Sequence, residues 1–297
     1  MNRILVTGAT GRTASHLARR LLSSGSQVRA LVRNPEKAKV MFADLPTSSL
    51  DRLEVIAGDF GDAELLKRGF DAVDGVFLAL GTSMQQVALE KTLVDAAARA
   101  RVRQVVRLSV LGAHRDGGYE VARRHGELDD YVAATGIPHT LLRAAWFTSN
   151  LLLSAGSIAN TDHWYGLVPN GRIAMIDTRD VADAAHAVFN NASLQNARYE
   201  LTGPVALTLT EVAALFSVLL GRPISYVPID EASLRQGFAK RGAPAWLVDI
   251  AVGIEQAMES GSHATVTPDL GRLLGGPLRP VDDFIRDHHA SFVKQVA

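Results

Sequence analysis

Gly8, Gly11 and Ala14 stand three residues apart, between the apolar run Ile4-Leu5-Val6 and a stretch with Leu17, Ala18, Leu21 and Leu22 at helical spacing. Their types suit one task, the holding of a pyrophosphate. Glycine tolerates positive φ, so Gly8 lets the chain turn sharply out of an extended segment. Gly11 has no side chain to keep a phosphate from the backbone, and Ala14 is small enough for a helix to pack closely on the strand before it. A helix that starts directly after such a turn offers free N–H groups and a partial positive charge to an anion. The spacing is Gly-x-x-Gly-x-x-Ala rather than Gly-x-Gly-x-x-Gly, so its weight comes from the strand–turn–helix–strand context around it.

The second apolar run, Val28-Arg-Ala-Leu-Val32, leads into Arg33-Asn-Pro-Glu-Lys37. A carboxylate at the end of this strand would bond the ribose hydroxyls of NAD; an arginine there pairs instead with a 2′-phosphate. Arg33, aided by Arg12 and Lys37, therefore predicts NADP(H) as the cofactor.

These residues need a sheet to position them, and the chain supplies its pattern. Apolar runs at residues 53–58, 75–80, 105–109 and 140–143 alternate with helical stretches at 62–70, with Asp62 as N-cap, at 85–100 and at 119–134. Such alternation predicts an α/β fold with a Rossmann-type doubly wound parallel sheet. Ligands of such a sheet lie outside the C-terminal strand ends. That groups residues 8–14, Arg33, Asp59, Leu80, Gly81, Ser109 and residues 143–147 around one crevice. Residues 148–170 read as loop and short helix. Strands are expected at 173–177, 199–201 and 224–227, and helices at 180–189, capped by Thr178 or Asp180, and at 210–220; beyond 231 the pattern is helix and loop. The expected division is a dinucleotide-binding domain of residues 1–147, joined by a returning segment at about 172–190, and a smaller C-terminal α/β substrate domain of 148–171 and 191–297.

Composition narrows the classes. Thirty-one basic residues balance 31 acidic ones, so there is no charge to favour nucleic acid or an anionic membrane surface. With no cysteine, disulfides, thiolate catalysis and cysteine-ligated zinc are out, and a reducing, cytoplasmic location is expected. No signal peptide or membrane span is expected, because no apolar run approaches about 18 residues. No Gly-x-Ser-x-Gly elbow, phosphate-binding P-loop, His-Glu-x-x-His or calcium loop occurs, and no metal site is expected.

Thr7-Gly-Ala-Thr-Gly-Arg-Thr-Ala14, Val32-Arg-Asn-Pro-Glu-Lys37, Gly58-Asp-Phe-Gly-Asp62, His125-Gly-Glu-Leu-Asp-Asp-Tyr131 and Thr135-Gly-Ile-Pro-His-Thr-Leu-Leu-Arg143 resemble the NmrA-like atypical short-chain dehydrogenase/reductases. Within that family the sequence resembles the type 2 NADPH-dependent quinone oxidoreductases and the triphenylmethane reductases. Leu207-Thr-Leu-Thr-Glu211 and Gly221-Arg-Pro-Ile-Ser-Tyr-Val-Pro228 extend the resemblance over nearly the whole chain. It implies that Gly8, Thr10, Gly11, Arg12 and Thr13 meet the phosphates and that Arg33 and Lys37 meet the 2′-phosphate. It further implies Asp59 and Phe60 at the adenine end, and Leu80, Gly81 and Ser109 beside ribose and nicotinamide. Phe147 and Asn150 would border the substrate.

Most short-chain reductases carry Tyr-x-x-x-Lys on the helix after the fifth strand, the lysine lowering the tyrosine pKa. Here Val121 stands at the tyrosine position and His125 at the lysine position; Tyr119 and Arg123 lie two residues out of register, a rotation of about 200° on a helix. His125, with Ser109, is therefore the candidate for chemistry. It could hold the nicotinamide ribose, give a proton, or be a packed residue with no chemical part. Asp129 and Tyr131 read as ordinary helix residues. Trp146, His163, Trp164 and Tyr165 form either an aromatic wall for a planar acceptor or the filling between two domains. The expected function is hydride transfer from NADPH to a quinone, carbonyl or other conjugated small molecule. A non-catalytic NADP(H)-binding regulator acting through a protein partner is the alternative, and an isomerase the third. The expected partners are that small molecule and, in a homodimer, a second copy of the chain.

Overall fold

The structure, a computed structural model, describes residues 2–294. Its first half alternates as the apolar pattern requires: β1 (Arg3–Thr7), α1 (Arg12–Ser23), β2 (Gln27–Val32), α2 (Pro35–Phe42), the single turn α3 (Thr47–Leu50), β3 (Leu53–Ala57), α4 (Ala63–Phe70), β4 (Gly75–Leu78), α5 (Gln86–Ala100), β5 (Gln104–Val110), α6 (Glu120–Ala134) and β6 (His139–Ala144). Asp62 caps α4 as expected, its carboxylate accepting from the N–H groups of Glu64 and Leu65.

The second half is less regular. A 3₁₀ helix (Thr148–Ser154) runs into α7 (Ala155–Thr161), followed by β7 (His163–Gly166), β8 (Arg172–Ile173), α8 (Thr178–Asn190), β9 (Arg198–Leu201), β10 (Leu207–Thr208), α9 (Leu209–Leu220) and β11 (Ser225–Pro228). Four α-helices, α10 (Glu231–Lys240), α11 (Ala245–Glu259), α12 (Asp269–Leu274) and α13 (Val281–Asp287), and a 3₁₀ turn (His289–Ser291) complete the described chain.

Seven parallel strands form the central sheet in the order β3-β2-β1-β4-β5-β6-β9. The order reverses at β1, so a crevice opens between the C-terminal ends of β1 and β4. One sheet face is covered by Ala14, Leu17, Ala18 and Leu21 of α1 and Val181, Ala185 and Val188 of α8. The other is covered by Leu65 and Phe70 of α4, Leu93 and Ala97 of α5 and Val132 of α6. Burial on both faces is why β1, β4 and β5 read as near-continuous apolar runs.

A second core gathers Leu151, Ile158, Trp164, Ile173, Phe216, Ile224, Tyr226, Phe284 and Phe292 beside the crevice. Trp146 packs against this core and Phe147 against the sheet's own, so two adjacent residues join the two.

Four expectations are corrected. Residues 163–166, expected as loop, are a strand: Trp164 is buried, Tyr165 exposed, and β7 pairs in parallel with β11. The strand expected at 173–177 shrinks to Arg172–Ile173, antiparallel to β10, and Ile176 makes only an isolated bridge to Phe147. Helix α8 is capped neither by Thr178 nor by Asp180 but by Asp177, which accepts from Arg179 N–H, while Asp180 is buried against Arg279. Residues 198–201, placed with the smaller domain, form the seventh strand of the sheet beside β6.

Candidate functional site

The crevice begins at Thr7, the last residue of β1. Its hydroxyl donates to the Phe77 carbonyl at 3.1 Å and accepts from the Ala79 N–H at 2.9 Å, which ties the end of β1 to the end of β4. Gly8 follows at φ +60°, and a Cβ there would stand 2.5 Å from the Ala79 carbonyl oxygen. Gly11 N–H closes the turn on Gly8 O at 2.7 Å, and α1 starts at Arg12. No side chain caps α1, so the N–H groups of its first turn stay open to an anion. Thr10 is half-buried, whereas Thr13 is buried under the helix start.

At the end of β2, Arg33 is exposed. The Asn34 side chain caps α2 by accepting from Lys37 N–H at 3.0 Å, which puts Lys37 in the first turn. Among the described residues neither the Arg33 guanidinium nor the Lys37 ammonium has a hydrogen-bonded or ionic partner. Asp59 is exposed and holds its own turn through Gly61 N–H, but the Phe60 ring belongs to the core under α4. Leu80, half-buried, and Gly81, exposed, leave β4 on the open side of the crevice.

Ser109 and His125 lie deeper than a crevice wall. Strand β5 runs beside β6 with Ser109 opposite Arg143, and both side chains, with Arg107, reach α6. Arg107 is fully buried, with Nε donating to Glu90 at 2.6 Å and Nη1 to Asp129 at 2.5 Å. Asp129 also accepts from Ser109 Oγ at 3.1 Å and from Arg143 Nε at 2.9 Å. Burial pushes the Glu90 carboxyl above its ordinary value against the pull of Arg107.

His125 Nδ1 stands 3.2 Å from Arg107 Nη2, a group that can only donate, so Nδ1 accepts and Nε2 carries the hydrogen. The Gln86 amide nitrogen stands 3.3 Å from Nε2; turning that amide end for end sets its oxygen there to accept the Nε2 hydrogen. The imidazole is thus held neutral, its pKa driven well below the ordinary value by burial and then by Arg107 and Arg124. Asp129, which read as an ordinary helix residue, is the centre of this network. The signal was Arg107 itself, a charge inside the otherwise apolar Val105-Val-Arg-Leu, where an isolated ion cannot be left.

Tyr119 occupies the N-cap position of α6 without a capping side-chain bond, and its ring lies 5.8 Å from that of buried His263. Burial raises the phenol to about 12 and lowers the His263 imidazole to about 4. Arg123 is exposed and donates to the Gly117 carbonyl.

On the acceptor side, Asn150 Oδ1 accepts from Arg12 Nη1 at 3.2 Å. Trp146 and Phe147 are half-buried. The Trp164 ring is core, edge-on to Tyr226 at 5.4 Å, while Tyr165 is exposed and stacks on His163 at 6.0 Å. The four aromatics do not form one wall.

Both buried histidines are neutral in the fold and become chargeable on unfolding. A group whose folded pKa lies below its unfolded value keeps its full contribution above the unfolded pKa and loses it as pH falls. Stability is therefore flat above about pH 7. It declines below the ordinary histidine value of 6.5 by about 1.4 kcal/mol per pH unit for each of His125 and His263. Urea unfolding at pH 7.5 and about pH 5.5 measures this. His263→Gln should make the slope shallower; an unchanged slope would contradict the burial of that ring.

The sequence pattern of the NmrA-like family matches residues 1–260. The NAD(P)H azoreductase of Xenophilus azovorans is 30% identical over 289 residues, 97% of this chain and 99% of that protein. The (4-alkanoyl-5-oxo-2,5-dihydrofuran-3-yl)methyl phosphate reductase of Streptomyces griseus is 30% identical over 293 residues, 98% of this chain and 100% of that protein. Among solved structures, the NADPH-dependent quinone oxidoreductase of Escherichia coli in complex with NADPH superposes with a TM-score of 0.85 at 28% identity, covering 96% of this chain and 99% of that one. The strand order, the turn at Gly8 and Gly11 and the matches over nearly all of the chain lead to one assignment: this protein belongs to the NmrA-like family.

Proposed function

We propose that the protein is an NADPH-dependent reductase that passes hydride to an electron-poor conjugated acceptor, of the quinone, azo or enone type. The observation that carries this reading is the pairing of an open, uncapped helix start at Gly11 with an unpartnered Arg33 at the end of the adjacent strand. These residues fit the cofactor. The open N–H groups at the start of α1 suit a pyrophosphate, and Arg33 and Lys37 together suit a 2′-phosphate dianion. When bound, NADPH supplies the hydride. Similarity over full length to reductases of an azo compound and of a dihydrofuranone supports the acceptor class.

The chain's own residues position rather than protonate. Ser109 Oγ already donates to Asp129, and the His125 hydrogen on Nε2 faces Gln86. We assign both to the support of the nicotinamide ribose. The reduced acceptor is a stabilised anion, so its proton comes from water and the acceleration comes from orientation. We place Phe147, Asn150 and Trp146 on the acceptor's side. Among the described residues no helix is long and apolar enough to cross a membrane. We place the protein in the cytoplasm, where NADPH is drawn upon.

The test is NADPH oxidation against a panel of quinones, azo dyes and enones, with cofactor binding measured alongside. Arg33→Ala is expected to weaken NADPH by roughly ten- to a hundredfold, the loss of about 1.5–3 kcal/mol from a charge-assisted pair, and to leave NADH unchanged. Equal binding of NADPH and NADH by the unaltered protein would overturn the NADP assignment. Tight NADPH binding with no acceptor reduced would overturn the enzyme reading and leave a cofactor-binding regulator.

A further inference from the structure

Arg12 is the first residue of α1, yet its side chain reaches residues far along the chain. Nη1 donates to the Ser149 carbonyl at 2.9 Å and lies 3.2 Å from both Ser149 Oγ and Asn150 Oδ1. Among the described residues Nε and Nη2 have no partner. Three acceptors therefore share one end of the guanidinium, while its other donors are left over at the uncapped helix start. The segment so held is unusual in its own right. Thr148–Ser154 is a seven-residue 3₁₀ helix, longer than the three or four residues usual for that poorly bonded geometry, and it continues into α7. It begins directly after Phe147 and carries Asn150.

We propose that Arg12 is a positioning residue that couples the two halves of the crevice: one edge of its guanidinium takes a cofactor phosphate while Nη1 holds the 3₁₀ segment that shapes the acceptor's side. The inference rests on the reductase reading above. A planar guanidinium can serve both, because its five N–H donors point outward in a fixed fork; a lysine ammonium at that place serves one. With a phosphate on the free edge, the guanidinium loses its rotational freedom and Ser149 and Asn150 are held in place. Cofactor binding then orders the acceptor's side before the acceptor arrives, and the acceptor binds more tightly to the loaded protein.

Hydrogen exchange of the amides in residues 148–154, read by mass spectrometry, tests this on the full chain. Saturating NADP⁺ should slow exchange in that segment severalfold. Saturating 2′-AMP, which offers the 2′-phosphate to Arg33 but brings no pyrophosphate, should not. Arg12→Lys should still bind NADP⁺ but lose the slowing, and should raise the acceptor KM by about tenfold, as expected for one charge-assisted hydrogen bond, with kcat less affected. Slowing by 2′-AMP alone, or NADP⁺-induced slowing in Arg12→Lys equal to that of the unaltered protein, would overturn the coupling. The exchange readout does not need turnover. A protein that shows Arg12-dependent slowing and reduces no acceptor loses the reductase reading and keeps the coupling; one that turns over with no slowing does the reverse.

Discussion

Gly8→Ala is expected to lower NADPH affinity by roughly a hundredfold or more, a loss of about 3 kcal/mol. Two costs add. The backbone at Gly8 has φ +60°, where an L side chain costs about 1–2 kcal/mol. The new Cβ also lands 2.5 Å from the Ala79 carbonyl oxygen, a backbone atom with little room to yield. Ala79 N–H is bonded to Thr7 Oγ1, so a shift at Ala79 disturbs the junction of β1 with β4, and the turn re-aims the N–H groups that follow it. Gly25→Ala is the control. Gly25 also has positive φ, +89°, but no atom lies within 4 Å of a Cβ there, and it sits after α1 rather than before it. It should cost about 1 kcal/mol of stability and leave NADPH affinity unchanged. Calorimetric titration of both variants decides the matter; a Gly8→Ala protein that binds NADPH normally would show that the turn is not the phosphate site.

The two glycines also mark how much of the molecule its sequence disclosed. Strand β1, the turn, α1 and β2 were legible because each signal is local: apolar runs buried on both faces, glycine at fixed offsets, helical spacing of Ala14, Leu17, Ala18 and Leu21. Strand β7 was not, because four residues bearing two aromatics pair with β11, a segment separated from them by α8 and α9. The cap of α8 was misplaced by one or three positions since Asp177, Thr178 and Asp180 all qualify by type, and only the fold buries Asp180 against Arg279. Asp129 was misread for a related reason. A carboxylate on a helix is usually solvated, and what reverses that is Arg107 on a strand far from it in sequence. The link from Arg12 to Asn150 has no local signal at all, since both residues are polar and sit at element starts.

That buried network carries the other large effect. Arg107→Met should lower stability by about 3–5 kcal/mol, because it leaves Glu90 and Asp129 inside without the cation that compensates them. For a chain of this length the melting temperature should drop by roughly 5–10 °C. A second substitution separates loss of packing from loss of charge balance. Glu90→Gln alone removes one of Arg107's two carboxylates and should destabilise. In the Arg107→Met background the same change removes an uncompensated acid, so it should restore stability: the sign inverts, which a pair without electrostatic coupling would not do. The acid dependence should soften as well. With Arg107 gone, the Glu90 carboxyl is raised further by burial, and a raised folded pKa gives stability at low pH that is lost as pH rises, so Arg107→Met should recover part of its deficit between about pH 7 and pH 5. If Glu90→Gln destabilises both backgrounds equally, the guanidinium holds the sheet to α5 and α6 by shape alone. His125 and Ser109 would then owe their placement to packing rather than to this charge network.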